Sequence, residues 1–200
     1  MEPDENAQIV LVRHGETEWS RDGRHTSVTD VALTATGRQQ AKQVGQALAG
    51  RRFAVVLTSP RQRAWTTAEL AGFSTYRVDP NLVEWNYGPF EGRTTAQIAA
   101  ELGHPWTIWA GGAADEPLPG ESAAEVGARA DAVLGSLEPQ LSRGEAVLVF
   151  AHAHTLRILA ARWLGLPADE GARFALGTGS ISTLGFEHGG RVLQRWNLQP

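Results

Sequence analysis

The sequence predicts an α/β fold: a three-layer sandwich in which a mostly parallel sheet carries helices on both faces. Three observations lead there. Short aliphatic runs at 9–12, 54–57 and 146–151 lack apolar/polar alternation, as expected of strands buried on both faces. Each is followed, after a short connection or a longer polar stretch, by a segment with apolar residues at helical spacing. Strands that alternate with helices in this way form parallel sheets. A chain of 200 residues can bury the core of one domain. Residues 1–200 are therefore read as a single domain, with a loop-rich cap segment around 84–121.

The first run leads into Arg13-His14-Gly15-Glu16-Thr17, and the polar stretch 20–30 follows as a loop. Thr34 or Thr36 can cap a helix that buries Ala41, Val44, Gly45 and Leu48. After the second run, Ser59 and Pro60 read as N-cap and first helical residue, which puts Arg61 and Arg63 in a first helical turn. Thr94-x-x-Gln97 has the form of a capping box, and Gly103 of a helix terminator. The stretch 104–120 holds Trp106, Trp109, Gly111, Gly112, Pro117 and Pro119 and reads as loop covering one side of a pocket. Ser122 can cap a helix that buries Val126, Ala130, Val133, Leu134 and Leu137, with Pro139 near its end. After the third run come His152-Ala153-His154, and Thr155 opens a helix with Leu156, Leu159, Ala160 and Trp163 inward. Runs at 181–187 and 191–196 flank His188-Gly189-Gly190 as a hairpin.

Composition removes several function classes. Net charge is −4 and no long basic run exists, which argues against nucleic acid or an anionic membrane as the main partner. The absence of cysteine excludes disulfides, thiolate nucleophiles and Cys-ligated metals. The acidic, polar start is no signal peptide, and no apolar stretch approaches the roughly 20 residues that span a bilayer. The expectation is a cytoplasmic protein acting on a small molecule, with its oligomeric state open.

In open α/β sheets, ligands bind beyond the carboxyl ends of the strands. Three such ends carry Arg13-His14, Ser59 with Arg63, and His152. Two guanidinium groups and two imidazoles would thus meet in an otherwise acidic protein. Guanidinium matches phosphate geometry and stays charged at any working pH, and a helix N-terminus beside Arg63 would add backbone donors. A phosphoryl group is the natural guest. A neutral imidazole can also attack phosphorus and hold the group covalently. A carboxylic acid must then protonate the leaving alkoxide, and Glu84 in Leu82-Val83-Glu84-Trp85-Asn86-Tyr87-Gly88 is the candidate.

Arg13-His14-Gly15-Glu16-Thr17 resembles the signature of the histidine phosphatase superfamily, which includes the cofactor-dependent phosphoglycerate mutases. Ser59-x-x-x-Arg63-Ala64-x-x-Thr67-Ala68, Glu84-x-x-Tyr87-Gly88-x-x-Glu91-Gly92 and His152 resemble its later motifs, in the same order. The resemblance implies a phosphoglycerate mutase-like fold and a set of roles. His14 becomes the phosphorylated nucleophile, Arg13, Arg63 and His152 the rest of the phosphate pocket, and Glu84 the acid and then the base that activates water. Thr17 and Ser20 fall where the family places small polar contacts; Tyr87 and the backbone N–H of Ala153 complete the expected binding set. Ala153 and His154 depart from the family's usual glycines, and a histidine at 154 resembles some phosphatase-like members. No metal or cofactor is implied.

Other readings stand beside this one. His25 and His104 read as surface or loop residues, Arg61 as an exposed helix residue, and Trp19, Trp85, Trp106 and Trp109 as possible pocket rim. His152-x-His154 with His14 could bind zinc, although nearby arginines would repel a cation. A non-catalytic phosphate-binding protein is a third class. Within the family, a mutase needs basic residues after the acid loop to grip a carboxylate. Thr94, Thr95, Ala110 and Gly111 stand there instead, with Arg93 the one cation in that stretch. The chain is also short for a mutase. Both features point to the phosphatase branch and to small phosphomonoesters such as sugar phosphates.

Overall fold

The computed structural model describes residues 6–111 and 120–200; Gly112, Pro117 and Pro119 of the expected cap lie outside the described residues. The strands are β1 (Gln8–Arg13), β2 (Val55–Thr58), β3 (Arg77–Val78), β4 (Ala146–Ala151), β5 (Ile181–Glu187) and β6 (Gly190–Leu198). The helices are α1 (Glu18–Arg21), α2 (Ala35–Ala47), α3 (Gln62–Leu70), α4 (Thr95–Leu102), α5 (Ile108–Gly111), α6 (Ala123–Leu141) and α7 (Ala153–Trp163). Short 3-10 turns cover Pro80–Leu82, Gly88–Phe90 and Ala168–Arg173.

The sheet order is β3-β2-β4-β1-β5-β6. The first four strands are mutually parallel; β5 runs antiparallel to β1, and β6 to β5. Side chains alternate faces along each strand, and here both faces are covered. Ile9, Leu11, Val147 and Val149 pack with Leu137, Leu156 and Leu159 on one side. Val10, Val12, Leu148 and Phe150 pack with Val44, Leu48 and Ala68 on the other. This two-sided burial is why the central strands read as unbroken aliphatic runs.

The register aligns the strand ends. Arg13 pairs with Ala151, and Thr58 with Phe150. The residues that follow each strand, His14, Ser59 and His152, therefore leave the sheet at nearly one level. The backbone N–H of His14 still bonds Ala151 O at 3.0 Å, and that of Ser59 bonds Phe150 O at 3.0 Å. Two glycines let α2 approach this edge. A Cβ on Gly15 would lie 2.2 Å from the Gly37 carbonyl oxygen, and one on Gly37 would lie 2.1 Å from the Glu16 carbonyl oxygen. Backbone meets backbone here, so neither position has space for a side chain.

Several local expectations shift. Ser59 and Pro60 precede α3 rather than start it; the N-cap is Arg61. The Ser59 hydroxyl accepts from Arg61 N at 3.3 Å and is held against His152 at 2.7 Å. The mouth of α3 is taken by Asp30, whose Oδ1 accepts from Gln62 N at 2.8 Å, so its amide is committed inside the protein. α7 starts two residues before Thr155, with His152 as N-cap. α6 runs through Pro139 to Leu141, and the loop-rich stretch 104–120 contains α5. Thr34 caps α2, the Thr94/Gln97 capping box forms, and Gly103 ends α4 at φ 72°. The hairpin turns at His188 and Gly189, both with positive φ (49° and 77°), as a tight two-residue turn requires.

Candidate active site

His14 is nearly fully buried, and its Nδ1 lies 2.7 Å from the Gly15 carbonyl oxygen. A carbonyl only accepts, so Nδ1 carries the hydrogen and Nε2 keeps its lone pair. Burial first, then the charges of Arg63 and Arg13, hold the His14 pKa well below its ordinary value. The imidazole is neutral at neutral pH, as a nucleophile must be. Gly15 N in turn donates to Thr67 Oγ1 at 3.0 Å, which ties the His14 loop to α3.

The His152 ring stands edge-on to that of His14, with centroids 5.2 Å apart. Its Nδ1 accepts from Arg63 Nε at 3.2 Å, leaving the hydrogen on Nε2, which donates to Ser59 Oγ. Both nitrogens are engaged, and a guanidinium sits where a cation would have to bind. His154 Nδ1 is likewise taken by the Tyr87 hydroxyl at 2.6 Å. The three-histidine zinc arrangement therefore does not assemble, and no metal-binding cluster of His, Asp or Glu occurs among the described residues.

Arg63 is wholly buried. Besides His152 it donates Nη1 to Thr29 O (3.0 Å) and Nη2 to Thr26 O and Ser27 O (3.1 and 3.2 Å). Four of its five N–H groups are thus used, and one on Nη1 remains. Glu91 secures the same loop from outside, accepting from Ser27 N and Thr29 N. Arg13 donates Nη1 to Leu176 O at 2.6 Å, while its buried Nε has no partner among the described residues. A buried guanidinium N–H without an acceptor costs about 1–3 kcal/mol unless a ligand supplies one.

Glu84 is buried and sits at the mouth of α7. Its Oε1 accepts from Trp85 N, Thr155 N and Thr155 Oγ1, and its Oε2 from His154 N, all within 3.1 Å. Burial alone would raise its pKa; the adjoining His154, His152 and the backbone donor Trp85 hold it well below the ordinary carboxylate range. The helix dipole works in the same direction. Tyr87 is pushed the other way, first by burial and then by the Glu84 charge, and keeps its hydroxyl hydrogen.

The expected binding residues separate. Thr17 and Ser20 form the capping box of α1: Thr17 Oγ1 accepts from Ser20 N, and Ser20 Oγ accepts from Thr17 N. Ala153 is the first residue of α7, so its N–H has no intrahelical acceptor. His25 is not a plain loop residue. It packs on Tyr87 (centroids 4.6 Å), faces Trp106 (5.5 Å) and lies 6.2 Å from His154. Burial and then His154 lower its pKa to about 4. Trp85 is core, not rim. Arg61 is half-buried, with a buried Nε that has no partner among the described residues. Arg157 was not anticipated; its guanidinium lies 4.6 Å from the Trp109 ring centre. Its signal was present in the sequence: it stands three residues after His154, one helical turn along the same face.

This arrangement offers one imidazole lone pair, unpaired guanidinium donors and a carboxylate at one sheet edge. It can bind a tetrahedral oxyanion and exchange a group between His14 and an oxygen near Glu84.

Comparison with known proteins identifies the family. The chain is 47% identical to an acid phosphatase of Mycobacterium tuberculosis over 191 residues, 94% of this chain and 91% of the relative. It is 32% identical to the sedoheptulose 1,7-bisphosphatase of Saccharomyces cerevisiae, covering 84% of this chain and 71% of that one. It is 35% identical to a 2,3-bisphosphoglycerate-dependent phosphoglycerate mutase of Brucella anthropi, covering 86% and 88%. A solved structure, the product of an open reading frame of Mycobacterium tuberculosis, superposes with a TM-score of 0.89 at 43% identity over 97% of this chain and 98% of that one. The sequence pattern of the histidine phosphatase superfamily (branch 1) matches residues 9–199, and the chain belongs to that family.

Proposed function

We propose that this chain hydrolyses small phosphomonoesters, sugar phosphates among them, through a phosphohistidine on Nε2 of His14. The observation that carries the reading is the fixed tautomer of His14: Nδ1–H is committed to Gly15 O, and Nε2 is left free beside unpaired arginine donors. Arg13 Nε, the last N–H of Arg63 and the Ala153 N–H bind the equatorial phosphoryl oxygens and stabilise the charge that spreads over them. His152 positions Arg63 and completes the pocket. Thr17 and Ser20 act through the turn after His14 that they shape, and Tyr87 through His154, which it orients.

The two steps balance through Glu84. His14 Nε2 bonds phosphorus as the ester oxygen leaves, taking a proton from Glu84. Water then attacks phosphorus, gives its proton to Glu84, and the His14–phosphorus bond breaks to release inorganic phosphate. Glu84 is ionised in the free protein, so the first proton arrives with the substrate monoanion and is passed to the leaving oxygen through the carboxyl group. Residues 1–200 are read as one domain, with a cap segment around 84–121. The acidic, cysteine-free chain fits a cytoplasmic setting, and no helix among the described residues is long and apolar enough to cross a membrane.

The test is a screen of phosphorylated metabolites for phosphate release by the wild-type chain and by folded His14→Ala. Turnover of at least one monoester by the former and none by the latter supports the reading. Equal turnover by both overturns it.

A further inference from the structure

Seven arginines are at least partly shielded from solvent: Arg13, Arg61, Arg63, Arg93, Arg129, Arg157 and Arg162. Four have a carboxylate within 4.0 Å: Arg63 with Asp30, Arg93 with Glu101, Arg129 with Glu121 and Arg162 with Asp131. Arg13, Arg61 and Arg157 have none among the described residues. Arg13 belongs to the phosphate pocket. Arg157 belongs to no part of the machinery proposed so far.

Arg157 is nonetheless held in place. Its Nε donates to Gly171 O at 3.0 Å and its Nη2 to Ala172 O at 2.9 Å, while the plane stacks on Trp109. A Cβ on Gly171 would lie 3.1 Å from the Trp109 ring and 3.2 Å from the Arg157 backbone, so a bare glycine lets these parts close up. Two of five N–H groups are used, and three remain. The Trp109 ring lies 5.1 Å from that of His154, whose backbone N–H bonds Glu84. Glu84, His154, Trp109 and Arg157 thus form a continuous wall leading away from the leaving-group position. Along it the charge of Arg157 acts on both Glu84 and Arg13.

We propose that Arg157 anchors a second oxyanion subsite, so that the preferred substrates carry a phosphate or carboxylate besides the phosphoryl group that is cleaved. The subsite rests on the hydrolase reading for the identity of the first site. An immobilised, half-buried guanidinium with three free donors and no counter-charge among the described residues is the partner that an oxyanion takes bidentately. The indole beneath it offers an apolar face to a short carbon skeleton. This supplies from α7 the cation that the cap sequence lacks.

Equilibrium binding tests this apart from turnover. The full-length chain carrying His14→Ala, which cannot form the phosphohistidine, is titrated calorimetrically with matched pairs. These are 3-phosphoglycerate against glycerol 3-phosphate, and fructose 1,6-bisphosphate against fructose 6-phosphate. The doubly anionic member of at least one pair should bind about 10- to 100-fold more tightly, and the pair that shows this tells carboxylate from phosphate. Adding Arg157→Met should abolish that preference while changing the affinity of the singly anionic member less than about threefold. Arg157→Lys should restore part of it, and thermal melts confirm folding of both variants. Absence of preference in both pairs overturns the subsite, as does a preference that survives Arg157→Met or that is lost with Arg61→Met instead. If the preference holds but the wild-type chain releases no phosphate from any ester, the hydrolase reading fails and the subsite stands.

Discussion

Glu84→Gln separates proton transfer from everything else that Glu84 does. The substitution is isosteric, and the amide oxygen can take over the three donors that now meet Oε1: Trp85 N, Thr155 N and Thr155 Oγ1. The amide NH2 then faces His154 N, where Oε2 now accepts at 3.1 Å, so a donor meets a donor. That conflict costs about 1–3 kcal/mol. Loss of the charge at the mouth of α7 adds about 0.3–1 kcal/mol. The variant should therefore fold with a lowered melting temperature. In catalysis an alkoxide leaving group loses its proton source, and a positioned acid is worth roughly 100- to 10,000-fold. A nitrophenolate leaves without a proton and loses far less in the phosphorylation step. The assay is single-turnover phosphate transfer with a series of alkyl and aryl phosphates, beside thermal melts. A uniform rate loss across leaving groups, or less than about threefold loss on the alkyl esters, would refute the argument.

Acid should destabilise the fold from about pH 6.5 downward. Buried His14 and His152 have lowered pKa values and stay neutral when folded, whereas the unfolded chain takes up their protons. Stability thus falls as pH drops below the unfolded value, by up to about 1.4 kcal/mol per pH unit for each histidine. Glu84, also lowered, loses its contribution only at still lower pH. Denaturant midpoints measured from pH 7.5 to 5 should show this slope, and His152→Gln should flatten it; a midpoint independent of pH would contradict the burial argument. Arg63→Lys keeps the charge but not the fork that holds His152 and the carbonyls of Thr26, Ser27 and Thr29. It should cost about 2–4 kcal/mol and most of the activity, and near-wild-type turnover and melting would contradict that role. With 3-phosphoglycerate and catalytic 2,3-bisphosphoglycerate, phosphate release should exceed isomerisation to 2-phosphoglycerate. Fast isomerisation with negligible phosphate release would assign the chain to the mutase branch.

The sheet edge could be read from the sequence because its signal is local. Strands buried on both faces appear as aliphatic runs, and the chemistry stands at the next residue: His14 after β1, Ser59 after β2, His152 after β4. Capping boxes could be read for the same reason, as at Thr94 and Gln97. What stayed hidden depends on distant partners. Nothing near Ser59 says that its hydroxyl meets His152 across the sheet as well as the Arg61 N–H at the start of α3. Asp30 takes the mouth of α3 from 32 positions away in the chain. The amides of α7 hold Glu84 across about 70 positions. His25 looked like a loop residue because its environment of Tyr87, Trp106 and His154 comes from two other parts of the chain. The spacing of Arg157 from His154 is legible in the sequence, but its lack of a carboxylate partner among the described residues is visible only in three dimensions.

The central claim is covalent chemistry at Nε2 of His14, and trapping the phosphoenzyme tests it most directly. Wild-type and Glu84→Gln chains are mixed with a 32P-labelled monoester, quenched in base and digested. The label should appear on the peptide that contains His14 as an acid-labile, base-stable phosphate. It should persist longer in Glu84→Gln, where water lacks its base, and be absent in His14→Ala. Phosphate release by the wild-type chain with no labelled protein in either, or label on another residue such as Ser59 or His152, would contradict the account.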